Sequence, residues 1–597
     1  SRIFRTFGNA FLEVDLAKGL RAKSLIGIDY TSNNSTSFTP FNPGDYQSTQ
    51  TNSFTEFNSF NSAVIWTNTL SYGRDIGKHT FEAFIGTEYI NNVYRQSAGS
   101  RQNYISDVNV NERYLSTGIG AQTNNGIGAQ NSLMSYFGKI DYSLSDKYLA
   151  SFTLRRDGSS RFPEDNRWGV FPAASVGWVI SEESFLESVS ALNSLKFRAG
   201  WGQVGNQDIP DPNAANTFFS ADVNYASYSL DGVNNVVTPG FDKTKRGNPN
   251  VTWETTETLN VGLDAELLNR LSFSFEWYKK QTKDMLVDIV QPAAGGAAAN
   301  AFLNVGDVEN KGIELGLDYS SDPSKDFRYS IGVNFSTYKN KVIKLNSAPF
   351  YGGRAFDLQQ MTITREGEAI SSFYGFVIDG IFNSQDEVDS YLENVSQDGA
   401  RPGTFRFRDV NNDKVINDLD RTIIGSPHPD FMYGINISLA YKNFELTLTG
   451  TGVQGNEIFN ATRYFTDFWK MDGNRSTRLL NAWTPENTNT NVPQLNSNTI
   501  VRESQESTYY IEDGSFMRVR NVQLTYNFPK VWLGKALSSA KVYVQGQNVF
   551  TATNYSGLDP EVNLQNFTDP KGNRGLGVDR GAYPIPRTIT VGLTASF

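Results

Sequence analysis

The chain has 597 residues, of which 19% are charged, 39% hydrophobic and 13% aromatic, with no cysteine, two histidines and a formal net charge of −10. These numbers exclude a disulfide framework, a thiol nucleophile and a histidine-rich metal centre, since His79 and His428 lie far apart in the chain. The negative balance argues against nucleic acid, whose recognition begins with phosphate neutralisation, and no apolar run nears the roughly 20 residues of a membrane helix, so any membrane crossing must be made by strands.

From the start, apolar and polar residues alternate with a period of two, as on a strand with one apolar and one polar face. Ala10, Leu12, Val14 and Leu16 share a face ahead of a Lys18-Gly19 turn, and the next strand runs through Tyr30. A loop rich in Asn, Ser and Thr then extends to about Phe54. Strands around Asn58 to Ser71 and His79 to Tyr89 flank a short turn at Tyr72 to Asp75, and a polar excursion over residues 92 to 129 follows. Ser145-Asp146-Lys147 makes the next tight connection, the segment Ser181 to Asn193 separates two further strands, and a long polar section covers Asn206 to Asn250. Short turns alternating with long loops are what a membrane barrel gives, with one rim in the periplasm and the other outside.

The clearest hairpin spans Thr258 to Val287. Leu259, Val261 and Leu263 alternate with Asn260, Gly262 and Asp264; after a break at Leu268 to Arg270, Leu271, Phe273, Phe275 and Trp277 oppose Ser272, Ser274, Glu276 and Tyr278. Each arm reads as about ten residues, the length a tilted strand needs to cross hydrocarbon. The glycine- and alanine-rich stretch from Pro292 lacks the GK[ST] ending of a phosphate cradle. A second hairpin covers Phe431 to Gly450, with Phe444, Leu446 and Leu448 on the returning apolar face and Glu445 on the polar one. Residues 454 to 510 read as a polar region with a short helix around Phe465 to Trp469, and the chain ends in a strand whose face carries Ile589, Val591, Leu593, Ala595 and Phe597. The fold class is therefore all-β, a transmembrane antiparallel β-barrel over residues 1–597 with long extracellular loops.

GxSxG, HExxH and Walker A patterns are absent, so no catalytic residue is assigned. The stretch Asp409 to Asp420 places oxygen ligands Asp409, Asn411, Asp413, Asn417 and Asp420, and the Val415 carbonyl, at the spacing of a calcium loop. Lys414 stands where glycine normally permits the sharp turn, and Asp420 reaches less far than the usual glutamate. A loop closed by its own Asx turns is the alternative to Ca²⁺.

The segments GKIDYSLSDKYLASFTLRRDGSSRFPEDNRWGVFPAASVGW, LKFRAGWGQVGNQDI, NVGDVENKGIEL, IEDGSFMRVRNVQLTYNFP, GQNVFTATNYSGLDPE and YPIPRTITVGLTASF together resemble the carboxyl-terminal barrel of SusC/RagA-type TonB-dependent transporters of Bacteroidetes. The 409–420 stretch is similar to a family loop closer to DxNGDGxI, from which it departs at Asn412 and Lys414. The resemblance implies a multi-pass outer-membrane barrel of the 22-stranded type. It also implies an amino-terminal plug, a SusD-like surface lipoprotein as partner, energy from the TonB system, and a glycan or peptide ligand. This chain offers candidates for about sixteen to eighteen strands, and no plug is legible, so the remainder is expected upstream. The expected function is active nutrient import, with a passive porin or a surface adhesion barrel as alternatives.

Overall fold

Backbone pairing, more than side-chain polarity, sets where the strands end. The computed structural model describes residues 1–44, 48–107, 113–209, 213–220, 227–228, 238–289, 301–354, 358–468, 474–495, 502–534, 536–562 and 574–597. Among the described residues, seventeen long antiparallel strands carry the fold. They are β1 (Arg2–Ala17), β2 (Leu20–Thr39), β3 (Ser53–Ile76), β4 (His79–Gln102), β5 (Gln122–Leu144), β6 (Tyr148–Ser159), β7 (Trp168–Val179), β8 (Leu192–Asn206) and β9 (Glu254–Leu267). They continue as β10 (Leu271–Ile289), β11 (Ala301–Ser320), β12 (Phe327–Leu345), β13 (Phe431–Tyr441), β14 (Phe444–Gln454), β15 (Phe516–Asn527), β16 (Ser539–Thr553) and β17 (Thr588–Ser596).

Strand length corrects the sequence reading. The β2–β3 register runs on to Thr39↔Ser53 and the β3–β4 register is unbroken from Ile76↔His79 to Ser53↔Gln102, so part of the stretch read as polar loop before Phe54 and much of that after Tyr89 is ladder. Twenty-four residues span about 80 Å, far more than the roughly 25 Å apolar band of such barrels. Polar side chains there mark where the strand leaves lipid, and Asn, Ser and Thr do not stop a ladder whose backbone groups are paired. The hairpin arms β9 and β10, at 14 and 19 residues, exceed ten for the same reason. Tight turns hold the other end. Ser145 and Asp146, at φ 55° and 57°, and Leu268 and Asn269, at 55° and 54°, are consecutive left-handed pairs that suit two-residue hairpin turns. The glycine- and alanine-rich stretch from Pro292 lies mostly outside the described residues.

The chain divides into two units, the first formed by Ser1–Trp178, Gly200–Glu257 and Leu286–Asn304. Its registers place Ala22, Leu70, Ile85, Gly138 and Leu154 in one cross-strand row. Ile85 in that row is 64% exposed, and Ile26, Trp66, Ile140 and Phe152 on the same face are exposed too. A face of large bare apolar side chains fits contact with hydrocarbon. On the opposite face Thr67, Glu88, Ser135 and Asp157 form a polar row. Where strands give way to loops, Trp253 packs against Phe162 and Phe171 at ring separations of 4.8 and 5.4 Å.

The second unit comprises Val179–Ala199, Thr258–Met285 and Val305–Phe597. Tyr329, Leu439, Leu446, Leu524, Val544 and Val591 align across β12 to β17. Next to the short turns, Phe327, Tyr441, Phe444 and Tyr526 form an aromatic row, the girdle expected at a membrane interface. Asn436, Thr449, Asn521, Gln547 and Thr588 align on the other face. These registers agree with the alternation read at Phe444, Leu446, Leu448 and Glu445.

Leu448→Arg, on the same face as Leu446 but further from the aromatic row, is expected to destabilise the membrane-embedded protein by about 2 to 4 kcal/mol, and Thr449→Arg, on the polar face, by clearly less. Denaturant titration of both variants in lipid vesicles measures the difference, and equal costs would refute the facing.

Candidate functional site

The polar face is braced by arginines whose ion pairs run within and across strands. In the first unit the Arg155 guanidinium donates to Asp157 at 2.8 Å, to Ser135 at 2.9 Å and to Glu88 at 3.2 Å. In the second, Arg198 on β8 donates to Asp264 on β9 at 3.0 Å and pairs closely with Glu276 on β10. Gly262 leaves room for the Arg198 guanidinium, whose carbon lies 2.5 Å from where a Cβ would stand, so a side chain there would make the guanidinium shift. Glu276 and Asp264, both read as polar-face residues, thus meet at one arginine.

Further along the second unit, a loop is tied to β15. Arg518 and Asp559 are both almost fully buried and pair at 2.6 Å, while Arg520 and Arg518 both hold Glu561. Burial alone would push the Asp559 carboxyl up. Arg518 and the backbone N–H groups of Glu561 and Ile585 outweigh it and hold the group below the usual carboxylate range.

The long excursions of the second unit are not simply polar. Phe373, Phe376, Phe405, Phe407, Phe459 and Tyr510 lie within one fully buried core. Phe459 and Tyr510 stack at 5.1 Å with planes 6° apart, and the Tyr510 hydroxyl donates to the Ser504 carbonyl at 2.9 Å. Glu506, also buried, accepts from the Gln359 and Gln360 N–H groups at 2.7 and 2.9 Å and pairs with Arg421 at 3.3 Å. Asp467 accepts from the Tyr509 hydroxyl and from Arg478 at 2.7 and 2.6 Å. The short helix expected near Phe465 is α1 (Arg463–Asp467), and Trp469 lies outside the described residues. The FYGF run at 373–376 and the FRF run at 405–407 were the sequence signals for this core. They were missed because the surrounding composition is that of loops.

The Asp409–Asp420 segment brings together three of its six expected ligands. Asp409, Asp413 and Asp420 each offer a carboxylate oxygen within 4.8 Å of the others. Asp420 is fully buried and accepts from the Val410 and Asn417 N–H groups at 2.9 and 2.8 Å. Asn411 accepts from the Asp413 N–H, Asn417 accepts from the Leu419 N–H, and the Val415 carbonyl accepts from the Asn417 side chain. The Lys414 N–H donates to one Asp409 oxygen, leaving Asp409 Oδ1 buried without a partner. Lys414 itself takes the left-handed conformation, φ 69°, that glycine would supply. Hydrogen bonds from Asn411 and the Val415 N–H hold the Asp413 carboxyl below its usual range, so it is a charged oxygen donor. The donor set fits a hard divalent cation at Asp409, Asp413 and Asp420, while Asn411, Asn417 and Val415 are engaged in Asx turns.

Removing the buried Asp420 carboxylate leaves the Val410 and Asn417 N–H groups unpaired. Asp420→Ala is therefore expected to cost about 2 to 6 kcal/mol, read by chemical unfolding. Glu503 is a second case. Its Oε1 has no partner, and desolvation pushes its carboxyl up to about 7 despite the Arg401 charge and a Phe405 backbone hydrogen bond. An unfolded chain releases that proton near 4.5, so stability should fall as pH rises from there through about 7 and stay level above it. Glu503→Gln is expected to remove this slope and to gain on the order of 3 kcal/mol at pH 8 but nothing at pH 4. Unfolding midpoints across that range measure it.

A family model described as TonB dependent receptor-like, beta-barrel matches residues 5–549. A TonB-dependent receptor of Formosa agariphila is 33% identical over 99% of this chain and 58% of its own length. The TonB-dependent receptor SusC of Bacteroides thetaiotaomicron is 30% identical over 78% of this chain and 46% of its own. The chain thus spans about half the length of the curated relatives it matches. The solved RagAB peptide transporter superposes with a TM-score of 0.81 at 26% identity, covering 99% of this chain and 62% of that one. The paired lipid and polar faces, the girdle and these matches agree: the chain belongs to the TonB-dependent receptor-like β-barrel family of the bacterial outer membrane, and within it is similar to the SusC and RagA type.

Proposed function

We propose that the protein imports an oligomeric nutrient, a glycan or a peptide, across the outer membrane, energised through TonB and working with a SusD-like surface lipoprotein. The observation that carries this reading is the ordered loop core of the second unit, joined in sequence to strands whose inner face is polar and braced by arginines. A passive pore needs a wet lumen alone; a receptor also needs a fixed mouth. Likeness to the RagAB peptide transporter favours a two-component importer, and aromatic and amide groups serve glycans and peptides alike. In proteoliposomes the full-length protein is expected to retain sugar-sized solutes until TonB is energised. Free leakage would favour the porin. Gentle detergent extraction with quantitative mass spectrometry is expected to recover a stoichiometric surface lipoprotein.

A second element of the proposal is calcium at Asp409, Asp413 and Asp420, supported by the unpartnered Asp409 Oδ1 amid three converging carboxylates. Added Ca²⁺ is expected to raise the melting temperature of the wild type and to leave Asp409→Asn unmoved.

A further inference from the structure

The outward face of the first unit carries a polar line in the wrong place for plain lipid contact. Cross-strand registers put Ser24, Asn68, Thr87, Tyr136 and Arg156 side by side across β2 to β6. Of these, Ser24 accepts from the Trp66 indole at 3.2 Å. The Asn68 amide and the Thr87 hydroxyl have no hydrogen-bond partner among the described residues, although neighbours along their own strands on the same face are Trp66, Leu70, Ile85 and Tyr89. An unpaired amide facing hydrocarbon is costly and is tolerated where something else supplies the partner. The short side chains of this line, with Ala22, Ala83 and Gly138 beside it, leave an open groove of about 960 Å³ walled by Leu12, Leu70, Ile85 and Phe152.

Arg156 closes the line. Its guanidinium lies 4.7 Å over the Trp168 ring and pairs with no carboxylate among the described residues. Trp168 is itself stacked on Tyr136 at 6.0 Å and lies over Gly158, where a Cβ would come within 2.8 Å of the ring. The cation therefore rests on a flat ring, and its hydrogen-bond donors have no acceptor among the described residues. It stands eight residues beyond Tyr148, the residue that follows the tight turn, or ~26 Å along the strand. Short turns face the periplasm in such barrels, which sets Arg156 at the level of the outer leaflet.

We propose that this face binds one phosphorylated glycolipid of the outer leaflet, with its phosphate on Arg156, its amide or hydroxyl groups on Asn68 and Thr87, and acyl chains in the groove. The outer leaflet is the source favoured over a glycerophospholipid because the cation lies towards the loop end of its strand, and because a multiply acylated lipid fills a broad groove better than two chains.

The test uses the full-length protein in nanodiscs of neutral phosphatidylcholine, titrated with lipid A and with its dephosphorylated form and read by native mass spectrometry. One lipid A per chain is expected, with at least tenfold weaker binding of the dephosphorylated form. Arg156→Gln and Ala83→Phe should each lose at least tenfold, and Phe444→Leu, in the second unit and outside the groove lining, should lose nothing. Asn68→Leu makes the face more apolar without filling the groove, so a folded variant with weakened binding separates loss of the site from loss of the fold. Equal binding by Arg156→Gln and the wild type, indifference to the phosphate, or displacement of lipid A by phosphatidylglycerol would overturn the proposal. So would disulfide capture of a second copy of the chain through Ile85→Cys.

Discussion

Hydrocarbon offers no hydrogen bonds, and that one fact disciplines everything else in this chain. A backbone N–H or C=O left open in the bilayer costs several kcal/mol, so strands crossing it must be paired along their length. The registers meet that demand residue by residue, twenty-four pairs between β3 and β4 alone, with no shift to interrupt them. Once the ladder exists, the pleat sends alternate side chains to opposite faces, and each face answers to its own solvent. Ile85 can stand bare because lipid covers it, and Glu88, three residues on, can be charged because the other face is wet.

This explains what was legible in the sequence. Period-two alternation survives wherever lipid lies on one side and water on the other, so the hairpins around Leu259, Phe275 and Leu446 could be read from their side chains. Outside the bilayer both faces are wet. The alternation fades there while the ladder continues, which is why the ends of β2, β4 and β5 were read as loops. Backbone pairing carries no residue signature of its own. The loop core was hidden for a related reason: its rings come from short runs scattered over residues 358 to 578, and only the three-dimensional path brings Phe373, Phe405, Phe459 and Val578 into one cluster.

The candidate cation loop shows a different limit. Spacing singled out Asp409, Asp413 and Asp420, and the twelve-residue loop does turn these three carboxylates toward one another. Spacing could not show that Asn411, Asn417 and Val415 would spend their oxygens on the loop's own N–H groups and side-chain amide. The same chemistry that makes Asn a hard ligand makes it a good Asx-turn former, and in the absence of an ion the backbone competes for it.

The charged residues divide by where they sit. On the polar strand faces, Arg155 and Arg198 are partly exposed and share their carboxylates with solvent, so their pairing adds little to stability and mainly fixes the surface a solute would meet. Arg518 and Asp559 are a different kind of pair: with 3% and 5% of their side chains exposed, both ions have lost their water, and each is needed to make the other tolerable. That pair joins a strand to the loop between β16 and β17, and Asp559 also accepts from Ile585 shortly before β17 begins. A buried ion pair is a poor choice for raising stability and a good one for specifying a single arrangement, because a loop that drifts leaves two uncompensated charges behind. The loops of this unit are therefore held in register with the strands by interactions that tolerate no partial displacement. For the import proposed above, a mouth held in this way would present a ligand with the same surface each time it arrives.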